Sequence, residues 1–408
     1  MLTDQQTETI KATAPALQAC GEELARDMYA RMFRNNPEVK PYFNPAHQQS
    51  GRQQRALASA VCAYAQYVDN PAALSDAVEL IANKHVSLGI LPEHYPIVGK
   101  NLLASIEHVM GDAATPQVLD AWAAAYAQLA DIFIKREHSL YDAKQQRYGW
   151  TGFKPFVVTR REPVSDNIVS LYLEPEDGQP LAAHKPGQYV AIHTSLPNGG
   201  TALRNYSLSN APGTPYYRIS VKREEAASAG APAGVFSHYA HDELAVGDRV
   251  RLSPPCGEFT LSPATQPGHP LVLLAGGVGI TPLLSMLHAA LEEQPARPVI
   301  LIQAVREERL RPFVEELGAL ATTHPSFTLH VRYSDAAPRT TPDGAQVSQG
   351  VIDNTLLDEL LGDQAGEYYF CGPPAMLSHV CQVLDTRGVG AGDMHYEFFG
   401  PADSLEAA

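Results

Sequence analysis

The distribution of glycine divides this chain of 408 residues into two different parts. Only five of its 30 glycines precede residue 148. Glycine is unfavourable inside helices and common in turns, so the first part can form long helices whereas the second must contain many turns. The chain also exceeds the length that one hydrophobic core comfortably serves. We therefore expect two or three domains, with a boundary near residue 148.

The part before residue 148 is predicted to be all-helical. Thr3 and Gln6 have the spacing of a capping box, which predicts a helix start near the amino end. Turn signals at residues 35–37, 70–71, 91–92 and 111 indicate about six helices joined by short loops. Apolar residues recur at the three- and four-residue intervals of one helix face, in the series Leu57, Val61, Tyr64 and Val68.

From residue 153 the apolar period changes to two, as in Tyr217, Ile219 and Val221. Such alternation, broken by Pro-Gly and Pro-Pro turns, predicts a small antiparallel barrel between about residues 150 and 262. After Pro270, strand-like runs alternate with helical runs such as residues 283–293, which predicts a parallel α/β sheet. The expected domains are thus residues 1–147, 148–265 and 266–408.

Charge and cysteine usage restrict the partners and the compartment. A formal net charge of −15 opposes nonspecific binding to nucleic acid or anionic membrane. No apolar run approaches the ~20 residues of a membrane span, and the amino end lacks a leader pattern, so no integral membrane association is expected. The scattered cysteines form no Cys-x-x-Cys pair and favour the cytoplasm: Cys20, Cys62, Cys256, Cys371 and Cys381.

A glycine turn follows the first predicted strand of the last domain. It combines Gly276, Gly277 and Gly279 with a helix start at Thr281-Pro282. Glycine lets the backbone approach a pyrophosphate, and the positive end of a helix attracts its charge. Thr281 is predicted to cap that helix. Because Pro282 replaces the last glycine of the dinucleotide fingerprint, the turn alone is equally compatible with an ordinary α/β connection.

Three further motifs follow in order. Residues 204–207, Arg-Asn-Tyr-Ser, lie in a strand and combine a guanidinium, an aromatic plane and a hydroxyl. Residues 371–374, Cys-Gly-Pro-Pro, end a strand, where open α/β sheets bind ligands. Residues 397–400, Glu-Phe-Phe-Gly, lie near the carboxyl end. Each alone is compatible with ordinary packing, but chance does not explain all of them in this order.

With these motifs, residues 150–408 resemble the ferredoxin-NADP reductase superfamily. The resemblance implies a flavin-binding barrel followed by a nicotinamide-nucleotide domain. Arg204 would pair with a flavin phosphate, Tyr206 would lie along the isoalloxazine, and Ser207 would bond near the reactive nitrogen. Gly234 and Ser237 resemble a Gly-x-x-Ser turn that holds a pyrophosphate, which indicates FAD.

The same resemblance implies the remaining contacts of the two cofactors. Gln188-Tyr189 would contact the adenine side of FAD. Phe399, after Glu397, would lie against the far face of the flavin. NAD(P)H would be held by Gly276, Gly277, Gly279, Thr281, Cys371, Gly372 and Pro373.

Five histidines precede residue 148, and spacing alone does not distinguish His85 as a metal ligand. No His-x-x-His or mixed Cys/His cluster supports a zinc or non-haem iron site. A haem needs only one protein ligand and an apolar slot. Residues 1–147 resemble a globin, and the complete chain closely resembles the bacterial flavohaemoglobins.

The flavohaemoglobin resemblance implies a haem b site. His85 would be the proximal iron ligand, and Phe43 would pack against the haem. Tyr29, Gln53 and Leu57 would form the distal pocket. For Tyr29, ordinary packing beside a helix stripe is the alternative.

Tyr95 and Glu137 would be hydrogen-bond partners that make His85 more basic. For Glu137, the alternative is a solvated charge near a helix end, since it lies in the charged run of residues 135–138.

The resemblance also implies nitric oxide dioxygenation. NAD(P)H reduces FAD, FAD reduces haem, and the haem with oxygen converts nitric oxide to nitrate. One alternative is an NAD(P)H-dependent ferric, flavin or alkyl hydroperoxide reductase, and another is an oxygen-binding or sensor globin. Mixed charges at residues 306–309 leave the nucleotide preference open, with NADH favoured. A monomer is expected, and a lipid in the distal pocket stays an open alternative.

Overall fold

The computed structural model describes residues 2–43, 60, 63–197, 199–226, 233–263, 268–335, 341 and 343–399. Among these, the first part of the chain is helical, as predicted, and residues 63–66 are helical too. Its five longer helices are α1 (Asp4–Ala19), α2 (Gly21–Asn35), α3 (Ser75–Leu88), α4 (His94–Met110) and α5 (Pro116–Tyr148).

Local signals set the helix ends of this domain. The Thr3 hydroxyl accepts from the Gln6 amide at 3.2 Å and the Gln6 side chain accepts from the Thr3 amide at 3.0 Å, which confirms the capping box. Helix α3 ends at Gly89, whose φ of 77° is left-handed and suits glycine. The core contains the buried residues Leu24, Met28 and Met32 of α2, so one face of α2 points inward.

The second part forms a six-stranded antiparallel barrel, as expected from its two-residue period. The strand order is β4-β3-β6-β1-β2-β5, and a bridge between Leu208 and Ile219 joins the two edges. The elements are β1 (Lys154–Ser165), β2 (Ile168–Pro175), β3 (Tyr189–Ser195), β4 (Thr201–Ser207), β5 (Tyr217–Lys222), α6 (Val235–Asp242) and β6 (Arg249–Leu252).

The last part is a six-stranded parallel sheet in the order β10-β9-β8-β7-β11-β12. Strand β7 lies between β8 and β11, so the connections leave β7 in opposite directions and create a switch point where such sheets bind ligands. The elements are β7 (Leu271–Gly276), α7 (Ile280–Glu293), β8 (Val299–Val305), α8 (Val314–Thr323), β9 (Phe327–Tyr333), β10 (Gln346–Gln349), α9 (Asn354–Leu361), β11 (Glu367–Cys371), α10 (Pro374–Thr386) and β12 (Met394–Glu397).

Polar contacts join the helical part to the barrel. Lys144 of α5 donates to the Pro255 carbonyl at 2.8 Å, and the Tyr148 hydroxyl donates to Gln188 at 2.9 Å. Helix α5 therefore continues into the barrel contact and ends one residue beyond the expected boundary at residue 147. None of the described helices is both long and apolar enough to cross a bilayer.

Candidate functional site

His85 lies on α3 and points its ring toward α4 and α5. Its Nδ1 is 2.7 Å from the Glu137 carboxylate and 3.1 Å from the Tyr95 hydroxyl. The Tyr95 hydroxyl donates to the same Glu137 oxygen at 2.5 Å. The Phe133 ring lies 5.7 Å from the imidazole. The sequence places Tyr95 and Glu137 beside His85 only through the family resemblance, and the packing of α3 against α4 and α5 brings all three together.

The position of the proton on His85 follows from Glu137, the hydrogen-bond acceptor of this cluster. An ionised carboxylate can only accept, so His85 Nδ1 carries the proton and donates it to Glu137. The lone pair of the imidazole is then on Nε2, the nitrogen that can bind a metal ion. Burial, followed by the bond to Glu137, raises the pKa of Tyr95 well above its ordinary value, so its hydroxyl stays a donor.

The environment of Glu137 settles the alternative of a solvated charge. Its side chain is 3 % exposed and lies in the interior of α5, more than two turns before the helix end at Tyr148. The solvated-charge alternative is wrong, because the carboxylate is buried against His85.

This donor set fits haem iron better than a metal held by protein alone. In the described part of the chain, no three His, Cys, Asp or Glu side chains are grouped to hold an ion. A single imidazole with its Nδ1 held by a carboxylate fits a porphyrin-bound iron, which needs only one protein ligand.

Aromatic residues of α2 and the following turn pack on one another. The rings of Tyr29 and Phe43 lie 5.5 Å apart, and Phe33 is 5.7 Å from Tyr29 and 5.2 Å from Phe43. Tyr29 is buried, and this burial raises the pKa of its phenol. Gln53 and Leu57, the other predicted distal residues, lie outside the described residues.

The predicted flavin contacts share strand β4. Arg204 is partly buried, and this desolvation lowers the pKa of its guanidinium, so an anionic phosphate would be a favourable partner. Tyr206 packs its ring 5.4 Å from Phe236 of α6. Ser207 lies directly opposite Tyr189 of β3.

Gly234 and Ser237 lie at the start of α6, as predicted. Gly234 is the residue that caps this helix, and the Ser237 hydroxyl donates to its carbonyl at 2.8 Å. A Cβ on Gly234 would lie 2.4 Å from that hydroxyl, so only glycine fits here. A cleft of about 400 Å³ opens beside Gly234, between α6 and Leu196-Pro197. Its place at a helix start fits the phosphate-bearing part of a dinucleotide.

Tyr189 lies in β3, directly opposite Ser207 of β4. Burial raises the pKa of its phenol well above the ordinary value. Its contact with the adenine side of FAD stays a prediction.

Ser87 and Asn205 are not among the residues predicted from the sequence. Ser87 Oγ lies 3.4 Å from the Asn205 side chain. Ser87 follows His85 by two residues, and Asn205 lies between Arg204 and Tyr206. The helix that carries the candidate iron ligand thus contacts the strand that carries the candidate flavin ligands. The only sequence signal for this contact is that both residues are polar and lie within the motifs of His85 and Arg204.

The glycine turn lies at the switch point of the parallel sheet. A Cβ on Gly279 would lie 2.2 Å from the Cys371 carbonyl oxygen, and one on Gly276 would lie 2.8 Å from Pro373. Gly277 has a φ of 54°. Glycine therefore lets the turn pack on residues 371–373 and leave backbone amides facing the ligand edge.

The predicted capping role of Thr281 is wrong. Helix α7 begins at Ile280 with Gly279 as its cap, and the Thr281 hydroxyl donates to the Val278 carbonyl at 3.0 Å. The helix starts earlier than its apolar pattern indicates because residues 277–279 form a 3₁₀ turn whose last residue, Gly279, already has right-handed helical backbone angles.

The carboxyl-terminal motif lies beside Cys371. Glu397 pairs in register with Cys371, so both lie at the ligand edge of the sheet. Burial raises the pKa of Glu397 to about 8, although the Lys84 charge opposes the shift. One Glu397 oxygen is buried without a hydrogen-bond partner among the described residues. Phe399 is 44 % exposed, which leaves its ring free to cover a planar ligand.

Comparison with known proteins gives three family matches along the chain. Residues 26–133 match the Globin family, residues 155–261 match the Oxidoreductase FAD-binding domain, and residues 273–382 match the Oxidoreductase NAD-binding domain.

Full-length relatives have the same three parts in one chain. The chain is 46 % identical to a flavohemoprotein of Rhodopirellula baltica over 408 residues, covering all of both chains. It is 45 % identical to the flavohemoprotein of Bordetella pertussis, covering 98 % of this chain and 99 % of the relative.

A solved structure has the same fold. The flavohemoglobin of Malassezia yamatoensis, solved with bound FAD and heme, superposes with a TM-score of 0.84 at 28 % identity and covers 98 % of this chain and 100 % of its own. With these matches over its whole length, the chain belongs to the flavohemoprotein family.

Proposed function

We propose that this protein is a nitric oxide dioxygenase that uses NAD(P)H, FAD and haem b to convert nitric oxide and oxygen to nitrate. Two contacts support the proposal. Glu137 lies 2.7 Å from the imidazole of His85, and Ser87 of the same helix contacts Asn205, in the strand of Arg204 and Tyr206, at 3.4 Å. They favour an oxygen-binding centre next to a flavin centre within one chain.

When bound, FAD would supply hydride acceptance from NAD(P)H and single-electron transfer, and haem would supply the centre at which oxygen and nitric oxide react. The protein would bind and orient both groups. Arg204 and the start of α6 at Gly234 would hold the flavin phosphates, and Tyr206 would contact its ring system. Ser207 would bond near the reactive nitrogen of the flavin, and Phe399 would cover its other face.

The nucleotide would bind at the switch point of the parallel sheet. Backbone amides of the turn at residues 276–279 and the start of α7 would receive its pyrophosphate. Residues 371–373 would hold the nicotinamide end, next to Glu397. Close approach of the two rings requires backbone and glycine on this edge, and bulky side chains would prevent it.

His85 would bind the iron through Nε2, and Glu137 with Tyr95 would keep the proton on Nδ1 and increase the electron density of the ring. Tyr29 would donate a hydrogen bond into the distal pocket, because a buried phenol requires a partner. Phe43 would pack on the same face. The distal roles of Gln53 and Leu57 stay predictions.

We favour NADH as the donor, with NADPH accepted. Arg306 directly follows β8, and Glu307 and Glu308 come next, near the position at which dinucleotide folds place an acid on the ribose 2′-hydroxyl. Arg309, the second cation of this segment, is paired with Glu307 at 2.7 Å.

We also propose the domain limits 1–147, 148–265 and 266–408, a cytoplasmic location and a monomeric state. The cysteines support the location, since Cys20, Cys256, Cys371 and Cys381 are free thiols in the described residues. A lipid in the distal pocket stays a prediction.

The replacement His85→Ala tests the function. We expect it to abolish haem binding and nitrate formation, while NADH-dependent reduction of an artificial acceptor by FAD survives. Nitrate formation that survives without haem would contradict the proposal. If ferric or peroxide reduction proves fast in the wild type and nitrate formation absent, the reductase alternative is correct. The attached FAD and NAD domains argue against a sensor, which would need a signalling domain instead.

A further inference from the structure

A buried ionic cluster joins the flavin barrel to the nucleotide domain, outside the residues that would touch either cofactor. The Arg218 guanidinium on β5 makes two hydrogen bonds to the Glu316 carboxylate on α8, at 2.7 and 3.1 Å. His288 of α7 lies 2.7 Å from the same carboxylate. The Arg218 side chain is 7 % exposed and the Glu316 side chain 27 % exposed.

All five donors of Arg218 are engaged. Besides Glu316, they reach the Ser209 hydroxyl at 3.0 Å, the Ser209 carbonyl and the Tyr172 hydroxyl at 3.5 Å. Ser209 lies two residues beyond Ser207 of the flavin strand. One side of the guanidinium therefore holds the end of that strand, and the other side holds the nucleotide domain.

The nucleotide side of the cluster is also held in an unusual conformation. Phe313, which caps α8, has a φ of 62°, the only positive value for a non-glycine residue in the described part of the chain. This region is costly for a bulky residue. The Phe313 ring lies 5.0 Å below the Arg218 guanidinium, so the strained turn places both Phe313 and Glu316 against Arg218.

Helix α7 connects the cluster to the predicted nucleotide site. His288 follows Thr281 by seven residues, roughly 10 Å along the helix that begins at the glycine turn. Burial would raise the pKa of Glu316, but hydrogen bonds from His288 and Arg218 outweigh burial and lower it to about 2. The carboxylate is therefore charged throughout the neutral range.

We propose that Arg218, Glu316 and His288 are positioning residues that set the distance between the flavin and the nicotinamide. The cluster fixes the end of the flavin strand to the helix that receives the nucleotide pyrophosphate. Removing one partner of a buried ion pair leaves an uncompensated charge and destabilises the fold, so the test uses conservative replacements and measures flavin reduction in variants that still bind FAD. The inference rests on the proposed function only in taking NADH as the hydride donor.

The test uses the full-length protein loaded with haem and FAD, mixed with NADH under anaerobic conditions. In Glu316→Gln, the limiting rate of flavin reduction should fall about ten- to a hundredfold, the loss expected when reacting atoms are misplaced by about 1 Å. The NADH dissociation constant should stay within about threefold, because the nucleotide contacts are intact. Electron transfer from photoreduced flavin to haem should be unchanged.

Two further variants complete the test. Arg218→Lys keeps the charge but loses the paired hydrogen bonds, and it should slow flavin reduction to a similar extent. If Glu316→Gln loses FAD, the rate of flavin reduction in Arg218→Lys tests the positioning role instead. Asp166→Asn removes a pair with Arg309 that crosses the same two domains but is 58 % and 61 % exposed, and it should have no effect.

The inference is overturned if flavin reduction is as fast in Glu316→Gln and Arg218→Lys as in the wild type, or if Asp166→Asn slows it equally. It is also overturned if both variants lose FAD and the flavin that stays bound is reduced at the wild-type rate. A wild-type flavin that NADH does not reduce would instead contradict the proposed function, so the two failures are distinguishable.

Discussion

Replacing Glu137 with glutamine tests the link between the buried carboxylate and His85. Glutamine keeps the shape and an accepting oxygen but removes the charge. Glu137 receives hydrogen bonds from His85 at 2.7 Å and from Tyr95 at 2.5 Å. With its side chain 3 % exposed, little water can compensate.

The magnitude follows from these two bonds. A hydrogen bond to a charged group contributes about 1.5–3 kcal/mol and a neutral one about half as much. Glu137→Gln should therefore weaken the hold of His85 on haem iron by about 1.5–3 kcal/mol when half of each bond is lost. This corresponds to about ten- to 150-fold faster haem loss, close to the range known for carboxylate partners of metal-binding histidines.

Two measurements check this prediction: transfer of haem to excess apomyoglobin, and the iron–histidine stretching frequency of the ferrous protein, which should decrease. Glu79→Gln is the matched control. Glu79 also joins α3 to α5, through Arg136 at 2.5 Å, but its side chain is 30 % exposed. Its loss should change haem transfer by less than about threefold. Equal effects of the two variants, or no change in Glu137→Gln, would refute the reasoning.

Three other predictions concern single residues. Tyr29→Phe should accelerate oxygen dissociation by about ten- to 150-fold, measured by stopped flow, because a buried donor is lost; an unchanged rate contradicts its distal role. His184 has its pKa lowered to about 4 by burial, so the unfolded chain binds more protons below pH ~6.5 and stability falls as pH decreases toward 4. In His184→Gln, the free energy of unfolding measured in urea should decrease by about 2–3 kcal/mol less between pH ~7 and pH ~4 than in the wild type. The same pH dependence in both proteins contradicts this. Gly279→Ala should cost about 1–3 kcal/mol and weaken NADH binding, since its Cβ would overlap the Cys371 carbonyl. Gly392→Ala, with open space around it, should be neutral in the same melting and binding assays.

The three-part fold could be predicted because its signals are local. The change of apolar period and the turn residues need no knowledge of distant contacts, and the helical, antiparallel and parallel parts all follow from them. The same holds for the glycine turn after β7 and for the strand of Arg204. The start of α7 was less predictable, because the backbone of a glycine turn can already be helical.

The site depends on contacts between distant segments. His85 and Glu137 are 52 residues apart, and Arg218 and Glu316 are 98 residues apart. Within its own segment Glu137 is one charge in a charged run, and only the packing of α3 on α5 distinguishes it. For Tyr189 the motif gives only a family position, and the sheet register that sets it opposite Ser207 follows from the fold.

The most direct test of the central claim is the amount of nitrate formed from nitric oxide in air-saturated buffer with limiting NADH. Each nitrate needs one electron and each hydride carries two, so the account predicts about two nitrates per NADH in the wild type and none in His85→Ala. NADH oxidation that yields no nitrate, or nitrate that forms equally in His85→Ala, would contradict it.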